Sequence, residues 1–358
     1  MGNQYLAAQY VTIVALEDDN TETAPYDAVE ELLKDASADI VYLDVVGSDG
    51  CQIQKDTSAV GNDVARGTSD GKRHALIKER ANVTLNIPLR AFLEEGVGPH
   101  YGPVLQAAGF AESVDTDDVI YTRGTKNQPA LTVYKIWRSS DSDNWKIDYA
   151  TGVRLSAEFS VEAGSEATVS FTGTGNYHEI TDGAEYINAD GEVALLKDGD
   201  TPVTATSFTQ DCQEPMPCRD IVFRFDGDDY EVQSFDLNVN QTVNDVDTIN
   251  GSGSRSRGVI ARGADERSEG SCALVGYTDD LMEDIRAKVY DATEFTWLAV
   301  LENGEGRIEM ACDNAQLMRW SEAENGNLLQ WDIPFALNGD CATLVDDELT
   351  ITYMPASV

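Results

Sequence analysis

The chain is poor in cations. Its 358 residues carry 25 Lys and Arg against 64 Asp and Glu, a formal net charge of −39. Such a field repels phosphate backbones and anionic lipid surfaces, which excludes nucleic-acid or membrane binding through a broad basic face. Histidine is scarce: His74, His100 and His178 are the three present. None stands in an HExxH or other metal-ligand spacing, and there is no GxSxG or P-loop. His100, beside Tyr101, reads as a packing or capping residue. The Gly-rich runs GTGNYHEI and GSGSRSRG do not join a strand to a helix, as a dinucleotide site requires. The six cysteines are scattered, without the CxxC spacing of a zinc site. Cys212 and Cys218, in CQEPMPC, are the one close pair and a possible small disulfide loop. No run of 18 apolar residues exists to span a bilayer. The opening MGNQYLAAQYVTIVALEDD has neither the basic n-region nor the clean cleavage site of a secretory signal. From these absences no cofactor, metal or catalytic residue is expected.

What is present points to a folded, strand-rich protein. Hydrophobic residues make up 42% of the chain, too many for global disorder, and its length suffices for two domains with their own cores. Only nine of the cations are Lys. With the acidity, that suits a surface solvated in concentrated salt, where screening weakens self-repulsion; an ordinary acidic surface is the alternative. The clusters DTDD (115–118) and DGDD (226–229) do not fit the EF-hand pattern and read as solvated turns.

Residues 1–37 read as an N-terminal arm ending in a helix, PYDAVEELLKDA (25–36), with acids in its early turns. A first β domain is expected over 38–180. It opens on the strand ADIVYLDVV, continues in a long polar loop from Gly47 to Gly71, and returns in RHALIKERANVTLNIPL. A short helix follows in GPHYGPVLQAAGF, with Pro103 in its first turn and Gly109 at its end. Then come ALTVYKIWR paired with WKIDYA, and a hairpin in GVRLSAEFSVEAGSEATVSFTG. In that hairpin Val153, Leu155, Ala157, Phe159 and Val161 alternate with polar residues. Residues 181–230 read as connecting strands or linker. A second β domain, 231–358, repeats the order: strand EVQSFDLNVN, a Gly/Ser/Asn-rich loop from Gln241 to Arg257, a strand region, the helix TDDLMEDIRAKVY, then FTWLAVL with RIEMAC, and AQLMRW with LLQWDIPFAL across a turn SEAENGN. This recurrence reads as an internal duplication.

Six segments in this order carry a resemblance: VTLNIPL, PHYGPVLQAAGFAESV, ALTVYKIW, ATGVRLSAEFSVEAGSEATVSFTGTGNY, VQSFDLNVN and DDELTITY. Together they resemble the major tail tube proteins of long-tailed, siphovirus-like phages or archaeal tailed viruses. The hairpin departs from the family pattern at GVRLSAEF, where a second Gly is common. The resemblance implies a mainly β chain of two tandem tail-tube-type β-sandwich or barrel domains, each with one flanking α-helix and a long assembly loop. It implies a structural virion protein rather than an enzyme, made in the host cytoplasm and polymerised into stacked rings that form a hollow tube for genome delivery.

Under that resemblance the two loops are assembly devices between subunits or rings. Their residues are Ser48, Asp49, Gln52, Gln54, Lys55, Asn62, Asp63 and Arg66 in the first, and Asn244, Asp245, Asn250, Arg255 and Arg257 in the second. Arg255, Arg257 and Arg262 form a local basic patch suited to an acidic neighbour of the same kind. The implied partners are the chain itself, the tape measure, tail terminator and baseplate proteins, and DNA that passes through without specific binding; no membrane is involved. Two domains per chain favour a trimer with pseudo-sixfold symmetry over a hexamer. The alternatives are a β-sandwich adhesin or carbohydrate-binding module, using some of Trp137, Trp145, Trp297, Trp320 and Trp331, or another tail component such as a terminator. A carboxylate-pair hydrolase is a weaker third.

Overall fold

In a computed structural model of the chain, alternation of apolar and polar residues becomes long antiparallel strands. The structure describes residues 5–17, 40–61, 74–91, 95–124, 129–139, 145–180, 192–198, 201–204, 216–219, 221–241, 243–247, 256–260, 267–275, 279–304, 306–325, 328–339 and 348–355. The first half contains β1 (Tyr5–Glu17), β2 (Ile40–Leu43), β3 (Cys51–Gly61), β4 (His74–Pro88), α1 (Gly102–Ala107), β5 (Phe110–Asp115), β6 (Asp118–Arg123), β7 (Ala130–Ser139), β8 (Trp145–Glu162) and β9 (Thr168–Ile180). A connecting region holds β10 (Glu192–Asp198), β11 (Thr201–Thr204), β12 (Val222–Phe225) and β13 (Asp228–Asp229). The second half contains β14 (Val232–Asn238), β15 (Val243–Asp247), β16 (Ser256–Ile260), β17 (Ser268–Leu274), α2 (Asp279–Asp291), β18 (Glu294–Glu302), β19 (Gly306–Leu317), β20 (Ser321–Asn325), β21 (Leu328–Asn338) and β22 (Thr350–Pro355).

The hydrogen-bonded neighbours run β3-β4-β9-β8 in the first half. They run β14-β17-β21-β20 in the second. The two series join where the second half of β8 pairs with β14, from Glu162↔Ser234 to Glu158↔Asn238. On one face of this junction Phe159, Val161, Phe235 and Leu237 are all buried. The halves are joined again where β6 pairs with β22. One apolar core therefore runs through both.

Several expectations change. The apolar opening of the chain is a strand: β1 lies between β2 and β7, with Ile13, Val14 and Ala15 fully buried. The expected helix at 25–36 lies outside the described residues. The polar stretch after Gly47 is not a loop throughout: Cys51–Gly61 pairs with β4 down to Gly61↔His74. Its polarity misleads because the strand has an apolar face, Cys51 and Ile53, and a polar one, Gln52 and Gln54. Likewise the Gln241–Arg257 segment contains β15, which pairs with β16 in a hairpin lying against β8, β9 and β4. Ser321–Asn325, expected as part of a turn, is strand β20; the chain reverses between Asn325 and Leu328, which pair.

Helix α1 plugs the core. Pro103 sits in its first turn, and Gly109, at φ 93, ends it in a conformation that an L side chain resists. Val104, Leu105 and Ala107 are buried, and Tyr101 at the N-cap joins Tyr353 of β22 by a 2.9 Å hydroxyl contact. On its outer side Gln106 and the Tyr121 hydroxyl both donate to Glu112. The short, nearly uncharged helix thus closes the core over the β6–β22 join.

Among the described glycines, Gly173 leaves the least room for a side chain. It lies beside the register shift between Thr151 and Arg154, and a Cβ there would stand 1.8 Å from the Arg154 carbonyl oxygen. Gly173→Ala is expected to lower stability by about 3 kcal/mol through this overlap. A urea midpoint at the wild-type value would refute the requirement.

Candidate assembly interface

The assembly residues expected from sequence fall on sheet elements. Ser48 and Asp49 are exposed in the bend before β3; Gln52, Gln54 and Lys55 lie on β3 itself. Gln54 donates to Gln52, Gln52 to the Asp49 carbonyl, and the Lys55 ammonium lies 5.4 Å from the Tyr177 ring centre. Asn244 and Asp245 lie on β15, and Arg257 on β16 opposite Val246. Asn62, Asp63, Arg66, Asn250 and Arg255 lie outside the described residues, as does Cys212. Cys218 is buried with a free thiol, 3.9 Å from the Ser165 hydroxyl.

The eight-strand series has two ends. Among the described residues, β3 pairs with β4 alone and β20 with β21 alone, so each leaves one row of backbone N–H and C=O groups without a strand partner. At the internal join the corresponding edges of β8 and β14 satisfy one another, and Ser160 adds a 2.7 Å side-chain bond to Asp236. Sequence reasoning missed β20 because SEAEN has turn composition. Its one legible signal was the Asn325-Gly326 step, a common hairpin turn, three residues before the apolar run of β21.

The two faces of the series differ. Cys51, Val83, Leu85, Phe159, Phe171, Phe235 and Ile333 lie on the buried side. The other side presents Gln52, Gln54, Asp56, Asn82, Thr84, Asn86, Glu158, Ser160, Glu162, Asp236, Glu269 and Asp332. That face is polar, and among its charged residues the acids outnumber Arg80, opposite Asp56, and Arg154, opposite Thr174.

Features that suggested chemistry resolve into structure. The acid clusters 115–118 and 226–229 contain the β5–β6 and β12–β13 turns, with Thr116 and Asp226 at positive φ. Among the described residues no group of three His, Cys, Asp or Glu is placed to hold a metal. His100 packs edge-on against Tyr101, and burial lowers its pKa, so the ring is neutral at pH 7. Trp297 is buried among Phe223, Phe235 and Phe335 rather than offered as a sugar platform. A groove of about 590 Å³ beside β14 is lined by Val161, Cys218, Ile221, Tyr230 and Phe235. No helix among the described residues is long and apolar enough to cross a membrane.

The thiols are equally quiet. Burial pushes Cys51 up to about 11 and Cys312 up to about 12, and raises Cys272 as well. At pH 8 almost none of the reactive thiolate is present. These three cysteines are expected to react with iodoacetamide at least about a hundredfold more slowly in the native protein than in urea. Rapid native labelling at Cys51, read by peptide mass mapping, would contradict its burial.

A family model described as phage tail tube protein matches residues 20–308 of the chain. No curated protein matches it.

Proposed function

Since the chain belongs to the phage tail tube protein family, and is therefore a structural component of the virion tail, we propose that it is the major tube subunit of a siphovirus-like tail and that three copies close each ring. The observation that carries this reading is the strand series. Four strands, β3-β4-β9-β8, are followed by four more in matching order, β14-β17-β21-β20, and both outer edges are open among the described residues. Joining β20 of one copy to β3 of the next would repeat between copies what β8 and β14 do within one. Each chain then acts as two subunits fused in tandem, and three of them supply the six units of a pseudo-sixfold ring.

Ring closure would leave the polar, acidic face of the series toward the lumen and the apolar face under the outer layer of strands and helices. An acidic wall repels DNA phosphates, so a genome passes without adhering. Along the axis a heterologous contact that does not close gives a filament of stacked rings. Of the expected assembly residues, Ser48, Asp49, Gln52, Gln54 and Lys55 lie before or along the first part of the open strand β3, where β20 of a neighbouring copy would meet them, and Asn244, Asp245 and Arg257 lie on the β15–β16 hairpin. Tape measure, terminator and baseplate proteins would meet the tube at its lumen and ends.

Negative-stain electron microscopy over a salt series tests this, because a charge of −39 opposes association until screened. Hollow tubes or rings with three pairs of unequal lobes in end-on averages are expected. Six identical two-lobed subunits would replace the trimer by a hexamer. Monomers at every salt concentration and protein concentration would overturn self-assembly by this chain alone.

A further inference from the structure

At the internal join the apolar layer beneath the sheet is continuous. Phe159 and Val161 on one side and Phe235 and Leu237 on the other are no more than 2% exposed. At the β20 end the same layer stops in the open. Trp331 of β21 is stacked by Trp320, whose ring centre lies 5.9 Å away, and Trp320 is met edge-on by Tyr290 of α2 at 6.0 Å. Tyr290 is 78% exposed, the largest value among the described large apolar residues. Trp320 directly precedes β20, so this aromatic step continues the open strand edge.

Two exposed arginines stand at this end, beside the exposed acids Glu322 and Asp291. Arg286 lies over the Trp331 ring, 5.4 Å from its centre, and Arg319 adjoins Trp320; both are exposed. Neither makes an ion pair among the described residues. At the other end of the series the apolar layer closes on half-buried Ile53 and Val45 and exposed Val46, beside Tyr10. The Tyr10 hydroxyl is held there by the Gly47 carbonyl and the Cys51 N–H. That end carries the acids Asp44, Asp49 and Asp56, with Lys55 beside them on β3 and Arg80 opposite Asp56.

We infer that Tyr290 and Trp320 are the hydrophobic anchor of the contact between copies, docking on Val46 and Ile53 of a second copy of this chain, with Arg286 and Arg319 set against its Asp44 and Asp49. The inference rests on the edge-to-edge reading above and assigns its residues. Large aromatics flanked by arginine are the side chains that dominate such contacts. They explain which neighbour is chosen, since bare strand edges pair with little selectivity.

The test replaces Tyr290 in the full chain by photo-reactive p-benzoylphenylalanine. The protein is irradiated under conditions that give the most assembly and the cross-linked peptides are mapped, with microscopy of the same sample. Cross-linked dimers with attachment within residues 44–56 of the other copy are expected. Rings or tubes whose cross-links fall elsewhere, or are absent, overturn the anchor and leave the tube reading standing. Absence of both assemblies and dimers overturns both. A second variant, Tyr290→Asp, is expected to lower the assembled fraction about tenfold or more at an unchanged melting temperature. Unimpaired assembly of Tyr290→Asp also overturns the anchor.

Discussion

Glu348→Ala is expected to destabilise the subunit by about 3–5 kcal/mol, the cost of leaving a buried charge without its partner. Arg123 of β6 and Glu348, just before β22, form an ion pair in which both side chains are almost fully enclosed. Ser268 of β17 completes the cluster: it takes a hydrogen bond from Arg123 and donates one to Glu348. These groups come from both halves of the chain, 225 residues apart in the case of the ion pair. The cluster sits where β6 meets β22, and the Arg123 N–H also bonds the Leu349 carbonyl at 3.2 Å. Removing one charge should therefore loosen the join between the halves as well as the local packing. Urea unfolding followed by intrinsic fluorescence measures the loss. The double variant Arg123→Met with Glu348→Leu removes both charges and is expected to regain most of it, because a well-packed apolar pair avoids the desolvation of two ions. A Glu348→Ala protein with wild-type stability would show that the pair is not a lock.

The second large effect concerns assembly. Successive backbone N–H groups along a strand point to opposite sides. Of Ala323→Pro and Glu324→Pro in β20, one removes a bond to β21 and the other removes a donor from the open edge. One variant is thus expected to keep a near-native melting temperature yet remain monomeric by sedimentation under conditions in which the ring reading has the wild type assemble. The other is expected to lose stability. If both fold and both assemble, β20 is not the joining edge. This experiment separates the lateral contact from axial stacking. Shortening the segment between Gly61 and His74, the last described pair of that hairpin, tests the proposed assembly role of Asn62, Asp63 and Arg66 without removing β3. Deleting Ser48–Ser69 would remove a whole sheet strand.

Local structure was legible where a residue's own neighbours settle it. The alternation from Val153 to Val161 predicts a half-buried strand, and those five apolar side chains are buried on β8. Pro103 and Gly109 bracket α1, and the helix expected at TDDLMEDIRAKVY appears as Asp279–Asp291. The fold class followed from the strand patterns and the family from six ordered segments. Segments at sheet edges were misread. Among the described residues Cys51–Gly61 and Ser321–Asn325 each pair with one strand, and both are rich in polar residues, so their composition is that of loops. An isolated sequence does not reveal that a polar strand has a neighbour, because the neighbour's backbone supplies the bonds whatever its side chains.

Composition and periodicity by themselves therefore determined that this protein is a β-rich, strongly acidic chain with a recurring order of elements. Only the tertiary structure decided how those elements join. The β8–β14 pairing brings residues such as Phe159 and Leu237 into one layer, and the Arg123–Glu348 pair closes β6 on β22. Both depend on contacts distant in sequence, where closure entropy is offset by the burial and hydrogen bonding of the whole sheet rather than by any local preference. Among the described residues the same sheet leaves β3 and β20 with one strand partner each, the edges that the ring reading joins between copies.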